Sequence, residues 1–243
     1  MKKQMHGYVP ELRKRIIAVG TYFVLALFVG ILFSKKLVVL FLNSNLPTNV
    51  NLVTLNPYEN ISLFIHFMFF VAIVLTMPFI TYQVIMYVKP GLTNKEKKMA
   101  FTVPVIAFFL FIAGAAFGYF LSKAVIVPFL SDLALSIGIV NNWSINQFMK
   151  FVVYLSLALG LIFQMPLIIS MLVKLNLLQP GHLKKIRKHT IIGLLVLAAI
   201  ITPPDFFSLI VMVVPLIILF EITIFIAGFI KKDVKKEVRA EVL

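Results

Sequence analysis

The chain has no cysteine in its 243 residues, so neither a disulfide framework nor a thiolate zinc site is available to it. Acidic residues are nearly as scarce, with 9 Asp and Glu against 23 Lys and Arg, and charged residues of both signs make up only 13% of the chain. That is about half the share found in soluble domains. The sequence contains no G-x-x-x-x-G-K-[ST], no G-x-S-x-G and no H-E-x-x-H, which excludes a P-loop nucleotide site and the common hydrolase signatures. Its four histidines, His6, His66, His182 and His189, have no paired spacing and make poor metal ligands. No metal or cofactor is expected.

What the chain has in abundance is apolar residues, at 61%, with a mean hydropathy of +1.03. A soluble enzyme and a disordered chain are both excluded, and a polytopic membrane protein is implied. A span needs about 20 apolar residues. Six candidates appear: 16–33, 61–88, 100–121, 151–173, 190–202 and 208–230. The second is long and should tilt, or bend at Pro78; the fifth, with 13 residues, covers only about 20 Å at helical rise. The reading is all-α: one six-helix transmembrane domain over 1–230 and a charged cytoplasmic tail over 231–243.

Orientation follows from the basic residues. With the N-terminus in the cytoplasm, 19 of the 23 Lys and Arg fall on inner segments, and only Lys35, Lys36, Lys123 and Lys150 fall outside. The positive-inside bias therefore places both termini in the cytoplasm and explains the net charge of +14 without nucleic acid. The first apolar run ends in Phe33-Ser34-Lys35-Lys36 without a small-x-small cleavage pattern and is expected to stay as a helix. The outer segments, about 34–60 and 122–150, read as partly structured caps.

An ionisable group within a span costs about 2.5–3.5 kcal/mol on insertion scales and needs a reason. Glu221 is the carboxylate in such a position, and Gln164 on the fourth span lies at the same distance, ten residues, from its cytoplasmic lysine. Two readings stand: a hydrogen bond between helices, or a polar intramembrane surface that receives a partner helix. Gly114 and Gly118 form a G-x-x-x-G on the third span, which serves either internal packing or oligomerisation. On the inner side, Glu11 and Glu96 are either satisfied by neighbouring Lys and Arg or are acceptors for a cationic ligand.

Taken in order, Glu11-Leu12-Arg13-Lys14-Arg15, Pro78 with Tyr82-Gln83, Pro90-Gly91-Leu92 and Glu96, Gly114 with Phe117-Gly118-Tyr119-Phe120 and Pro128, Met165-Pro166-Leu167, and Thr202-Pro203-Pro204-Asp205 followed by Phe220-Glu221 form a collinear series. This series resembles the TatC family, the twin-arginine protein translocase subunits, from about residue 6 to 230. The resemblance implies a receptor in the cell membrane that binds twin-arginine signal peptides of folded cargo and uses the proton-motive force. It also implies a short fifth and sixth helix, TatA- and TatB-type single-span partners, self-association within a receptor complex, and no enzymatic activity.

Carried over by position, the signal-peptide site comprises Glu96 as the carboxylate that reads arginine, with Glu11, Arg13, Arg15, Leu92 and the ring of Tyr87. Arginine's planar fork pairs bidentately with a carboxylate, which lysine cannot reproduce. The partner-helix surface comprises Glu221, Gln164, Thr202, Asp205 and Ser208. Two positions depart from the family pattern: Gln164 stands where glutamate is common, and Leu209 where a polar residue is common. From a different class, a small transporter or channel would use Glu221 and Gln164 as a midplane site and would show pseudo-symmetric halves.

Overall fold

The computed structural model describes residues 2–43, 50–88, 99–174 and 177–241. Its elements in order are α1 (Lys2–Asn43), β1 (Val50–Val53), α2 (Glu59–Val88), α3 (Met99–Leu121), a π-helical turn (Ser122–Ile126), α4 (Val127–Ser136), β2 (Asn141–Ser144), α5 (Ile145–Ile162), α6 (Met165–Lys174), α7 (Pro180–Lys185), α8 (Arg187–Ile201) and α9 (Phe206–Glu241). Among the described residues, five stretches are long and apolar enough to cross a membrane: Pro10–Leu42, Glu59–Tyr87, Thr102–Ser136, Ile145–Lys174 and Phe206–Lys231. The fifth expected span is α8, whose 15 residues rise only about 22 Å.

Several boundaries differ from the sequence expectation, and the third span runs on through the π-helical turn and α4 to Ser136. The first helix continues through Lys35 and Lys36 to Asn43, because both lysines are exposed and Ser34 Oγ satisfies itself on Ile31 O (2.8 Å). The fourth span begins earlier, at Ile145, and is interrupted at Phe163-Gln164. Pro166 causes that break, since it has no N–H to donate to Ile162 and its ring crowds that carbonyl. Proline is well accommodated in the first turn of the helix that follows, α6. Pro78, by contrast, lies inside the continuous α2.

The described residues group into two compact units, Met1–Ile112 with Val127–Val153, and Ala113–Ile126 with Tyr154–Leu243. In the first, α1 packs along α2 through the stacked rings of Tyr22 and Phe79 (4.5 Å) and the edge-on pair Phe41 and Phe67 (5.0 Å). The segments expected to be caps hold a two-stranded parallel sheet, in which Val50 to Val53 pair with Asn141 to Ser144 in register. Glu59, 4% exposed, secures it: its carboxylate accepts from Ser144 Oγ (3.0 Å) and from Leu55 N–H (3.2 Å). Asn141 Nδ2 donates to Ser131 O (3.1 Å) and Oγ (3.0 Å), fastening α4 to the sheet.

In the second unit, α9 is the central element, packed by α6, α7, α8 and the π-helical turn. The G-x-x-x-G pair resolves to internal packing. A Cβ on Gly114 would lie 2.6 Å from Leu159 O, and one on Gly118 would lie 2.8 Å from Ser156 Cα, so only glycine allows α3 and α5 to approach this closely.

Candidate functional site

Glu11 and Arg15 stand one turn apart on α1 and pair across it (2.6 Å), which supports the helix there. The Arg15 guanidinium does more than balance that charge. Nη1 donates to Gln83 Oε1 (3.0 Å), and Nη2 donates both to Glu11 Oε1 and to Met86 O (2.9 Å). Arg15 therefore ties the start of the first span to the last turn of α2, one residue before Tyr87. Its side chain is 21% exposed, whereas that of Glu11 is 37% exposed. Among the described residues, the Glu11 carboxylate is held through Oε1.

Of the residues expected at this site, the structure brings Glu11 and Arg15 into contact and sets Tyr87, half-buried, beside their anchor at Met86. Arg13 is exposed on α1 and joins none of these bonds among the described residues. Glu96 and Leu92 lie outside the described residues. Gln83 was not singled out as a site residue, although it completes the arrangement. The signal for it was its own polarity, an amide near the end of an otherwise apolar 30-residue helix.

The second set of expected residues is divided by the structure. Glu221 on α9 pairs with Arg187 at the start of α8. A short α8 whose basic end reaches the level of Glu221 supplies this carboxylate with a counter-charge that span counting did not anticipate. Gln164 does not hydrogen-bond Glu221; it is 6% exposed in the break between α5 and α6, and its Nε2 faces Gly160 O at 3.5 Å. The two side chains do not form the midplane pair that a transport site would use.

Thr202, Asp205 and Ser208 fall together in the turn from α8 to α9. Pro203 and Pro204 end α8, the Thr202 hydroxyl donates to Ala198 O (3.0 Å), and Asp205 Oδ1 caps α9 by accepting from Ser208 N–H (2.6 Å). Thr202 is 6% and Ser208 0% exposed. Asp205 Oδ2 and Ser208 Oγ are buried without a hydrogen-bond partner among the described residues, so this turn retains polar capacity that its own fold does not use.

With this geometry in view, the comparisons with known proteins agree on one family. The family profile described as Sec-independent protein translocase protein (TatC) matches residues 8–215. The chain is 34% identical over 234 residues to the Sec-independent protein translocase protein TatCy of Bacillus subtilis (strain 168), covering 96% of this chain and 92% of that one. It is 32% identical to the Sec-independent protein translocase protein TatC of Listeria innocua serovar 6a, covering 95% and 94%. Among solved structures, a crystal structure of the twin-arginine translocase receptor TatC superposes with a TM-score of 0.77 at 28% identity, over 92% of this chain and 99% of that one.

Proposed function

Because the chain belongs to the TatC family of Sec-independent protein translocase proteins, we propose that it is the signal-peptide receptor of a twin-arginine translocase. In this reading it sits in the cell membrane with both termini in the cytoplasm. It binds the paired arginines of folded cargo and nucleates assembly with TatA- and TatB-type subunits and with other copies of itself. It carries out no covalent chemistry, and the proton-motive force supplies the energy.

The observation that supports this reading most is the anchoring of Glu11. A carboxylate on a basic face is ordinarily neutralised by mobile neighbours, but here the neutralising Arg15 is fixed by Gln83 and Met86 O. Glu11 is thereby held at a fixed place on α1 through Oε1, and its second oxygen is the proposed acceptor for an incoming donor. An arginine fork can engage such an acceptor in a defined plane, and a lysine only as a point charge. Glu96, nine residues beyond Tyr87 in sequence, is the proposed second acceptor. Two carboxylates would suit two arginines.

The test is co-purification of the full chain with a twin-arginine signal peptide and with its Lys-Lys variant. Retention of the first and loss of the second supports the receptor reading. Equal retention of both, or of neither, refutes it.

A further inference from the structure

In the second unit, α9 is packed on one side and open on another. Thr223 and Ala227 are 0% exposed, whereas Ile222, Phe225 and Phe229 are 47%, 67% and 53% exposed and recur at i, i+3 and i+7 as one stripe. Inside a membrane, lipid alone accounts for such a stripe. It does not account for the order of charges farther on, where α9 continues past the end of its apolar span at Lys231 to Glu241. At about 100° per residue, the bases there, Lys231, Lys232, Lys235, Lys236 and Arg239, fall within an arc of about 140°. The acids, Asp233, Glu237 and Glu241, fall within about 80° on the other side. Carried forward in the same register, the stripe runs between the two groups, toward Ala240.

Sorted charges work against a helix that stands alone in water. Such a helix gains from opposite charges at i and i+4 and loses from like ones. Within Lys231 to Glu241 all five charged pairs at that spacing are of like sign, as in Lys232 with Lys236 and Glu237 with Glu241. The segment therefore gives up local pairing, and each group is left to a partner of opposite charge. An anionic membrane surface or an acidic protein would match the bases and repel the acids. A second copy of the chain matches both.

Copies that share a membrane and an orientation stand parallel, with α9 leaving its apolar span at Lys231 in each. When two such helices approach along the open stripe with two-fold symmetry, the basic flank of each meets the acidic flank of the other, as at the e and g positions of a parallel coiled coil. The spacing suits this. With Ile222, Phe229 and Lys236 at d, Lys232 falls at g and Glu237 at the next e. Asp233 and Lys236, nearest the seam, are opposite in sign and three residues apart, so they too can pair across it. We propose that α9 from Ile222 to Glu241 is a self-association surface, in which two copies pair in parallel through the open stripe and hold their register by the flanking charges. The proposal rests on the self-association included in the proposed function and names its surface.

The test uses the full chain in proteoliposomes at a fixed, dilute ratio to lipid. A single cysteine, Leu243→Cys, in a chain that has none of its own, takes a donor or an acceptor dye, and energy transfer between copies reports pairing. One variant makes the acids basic, with Asp233→Lys, Glu237→Lys and Glu241→Lys. The other makes bases acidic, with Lys232→Glu, Lys236→Glu and Arg239→Glu, and keeps Lys231 at the end of the span. Each variant alone is expected to pair at least about fivefold more weakly than the original chain, from the loss of several exposed ion pairs. Mixing the two variants should restore transfer, which misfolded chains could not do. Raising the ionic strength from about 0.05 M to about 0.5 M should reduce transfer in the original chain. Absence of transfer in the original chain would overturn self-association itself. Transfer that persists in both variants, that mixing fails to restore, or that salt leaves unchanged would overturn this surface. These outcomes are separable from the receptor reading, which peptide retention decides.

Discussion

Arg15→Lys tests whether Arg15 holds Glu11 in place for a ligand or competes with the ligand for it. The guanidinium makes three hydrogen bonds to acceptors on two helices, to Glu11 Oε1, Gln83 Oε1 and Met86 O. An ammonium on a flexible stem can keep one of them, most readily that to Glu11, but cannot span all three. Bonds to charged groups contribute about 1.5–3 kcal/mol each when protected. With Arg15 21% and Glu11 37% exposed, solvent reduces this, and a loss of roughly 1–2 kcal/mol for the two bonds to α2 is reasonable. If that energy fixes Glu11 for binding, a twin-arginine peptide should bind Arg15→Lys roughly 5- to 30-fold more weakly. Fluorescence anisotropy with a labelled peptide and the full chain in nanodiscs measures this. A thermal melt of the same samples separates loss of the site from loss of the fold. Gln83→Leu, which removes one acceptor and leaves the Glu11 pair intact, should give a smaller effect in the same direction. Unchanged or tighter binding by Arg15→Lys at normal stability would show that Arg15 competes with the ligand and would refute the positioning argument.

Three further outcomes are expected. Glu96→Ala should weaken binding of the Arg-Arg peptide by roughly 10- to 150-fold, the worth of one charge-assisted hydrogen bond. If it costs a Lys-Lys peptide equally in a double-mutant cycle, Glu96 does not read arginine. Gly118→Leu should destabilise the protein by at least about 1–3 kcal/mol, because its Cβ would meet Ser156 Cα at 2.8 Å and backbone cannot move aside as a flexible side chain can; a normal thermal melt in detergent would contradict the close packing. Single cysteines at Asn94 and Asn142, placed in a chain that has none of its own, should differ in labelling by an impermeant maleimide applied outside intact cells. Only the second should react, and the reverse pattern would overturn the 19-to-4 orientation argument.

The spans were legible because hydropathy is a one-dimensional signal. Apolar runs predict where the helices lie, and the shortness of α8 could be counted directly. Two things were not legible from span counting. One was the continuation of a helix beyond its apolar run, as in α1 past Lys35: the lysines mark where lipid ends, but they are good helix formers and do not end the helix. The other was pairing at a distance. Glu59 and Ser144 are separated by 85 positions, and no local pattern couples the first residue of α2 to the one before α5. The same holds for the bond from Arg15 to Gln83 across 68 positions.

Glu221 shows how this affects a functional reading. Taken alone, a carboxylate ten residues inside a span suggests a midplane site, because its burial cost demands a purpose. Arg187, 34 positions earlier, changes the argument without changing Glu221. A helix as short as α8 cannot span the hydrocarbon with both ends in water, so its N-terminal arginine lies where longer helices would be apolar. The shortness of α8 and the acidity of α9 then have one explanation: each makes the other tolerable. Removing the charge from either residue should therefore do more harm than removing both, with Arg187→Gln, Glu221→Gln and the double variant compared by melting temperature. Additive losses across that cycle would mean the two charges are solvated independently, and the short helix would need a different account.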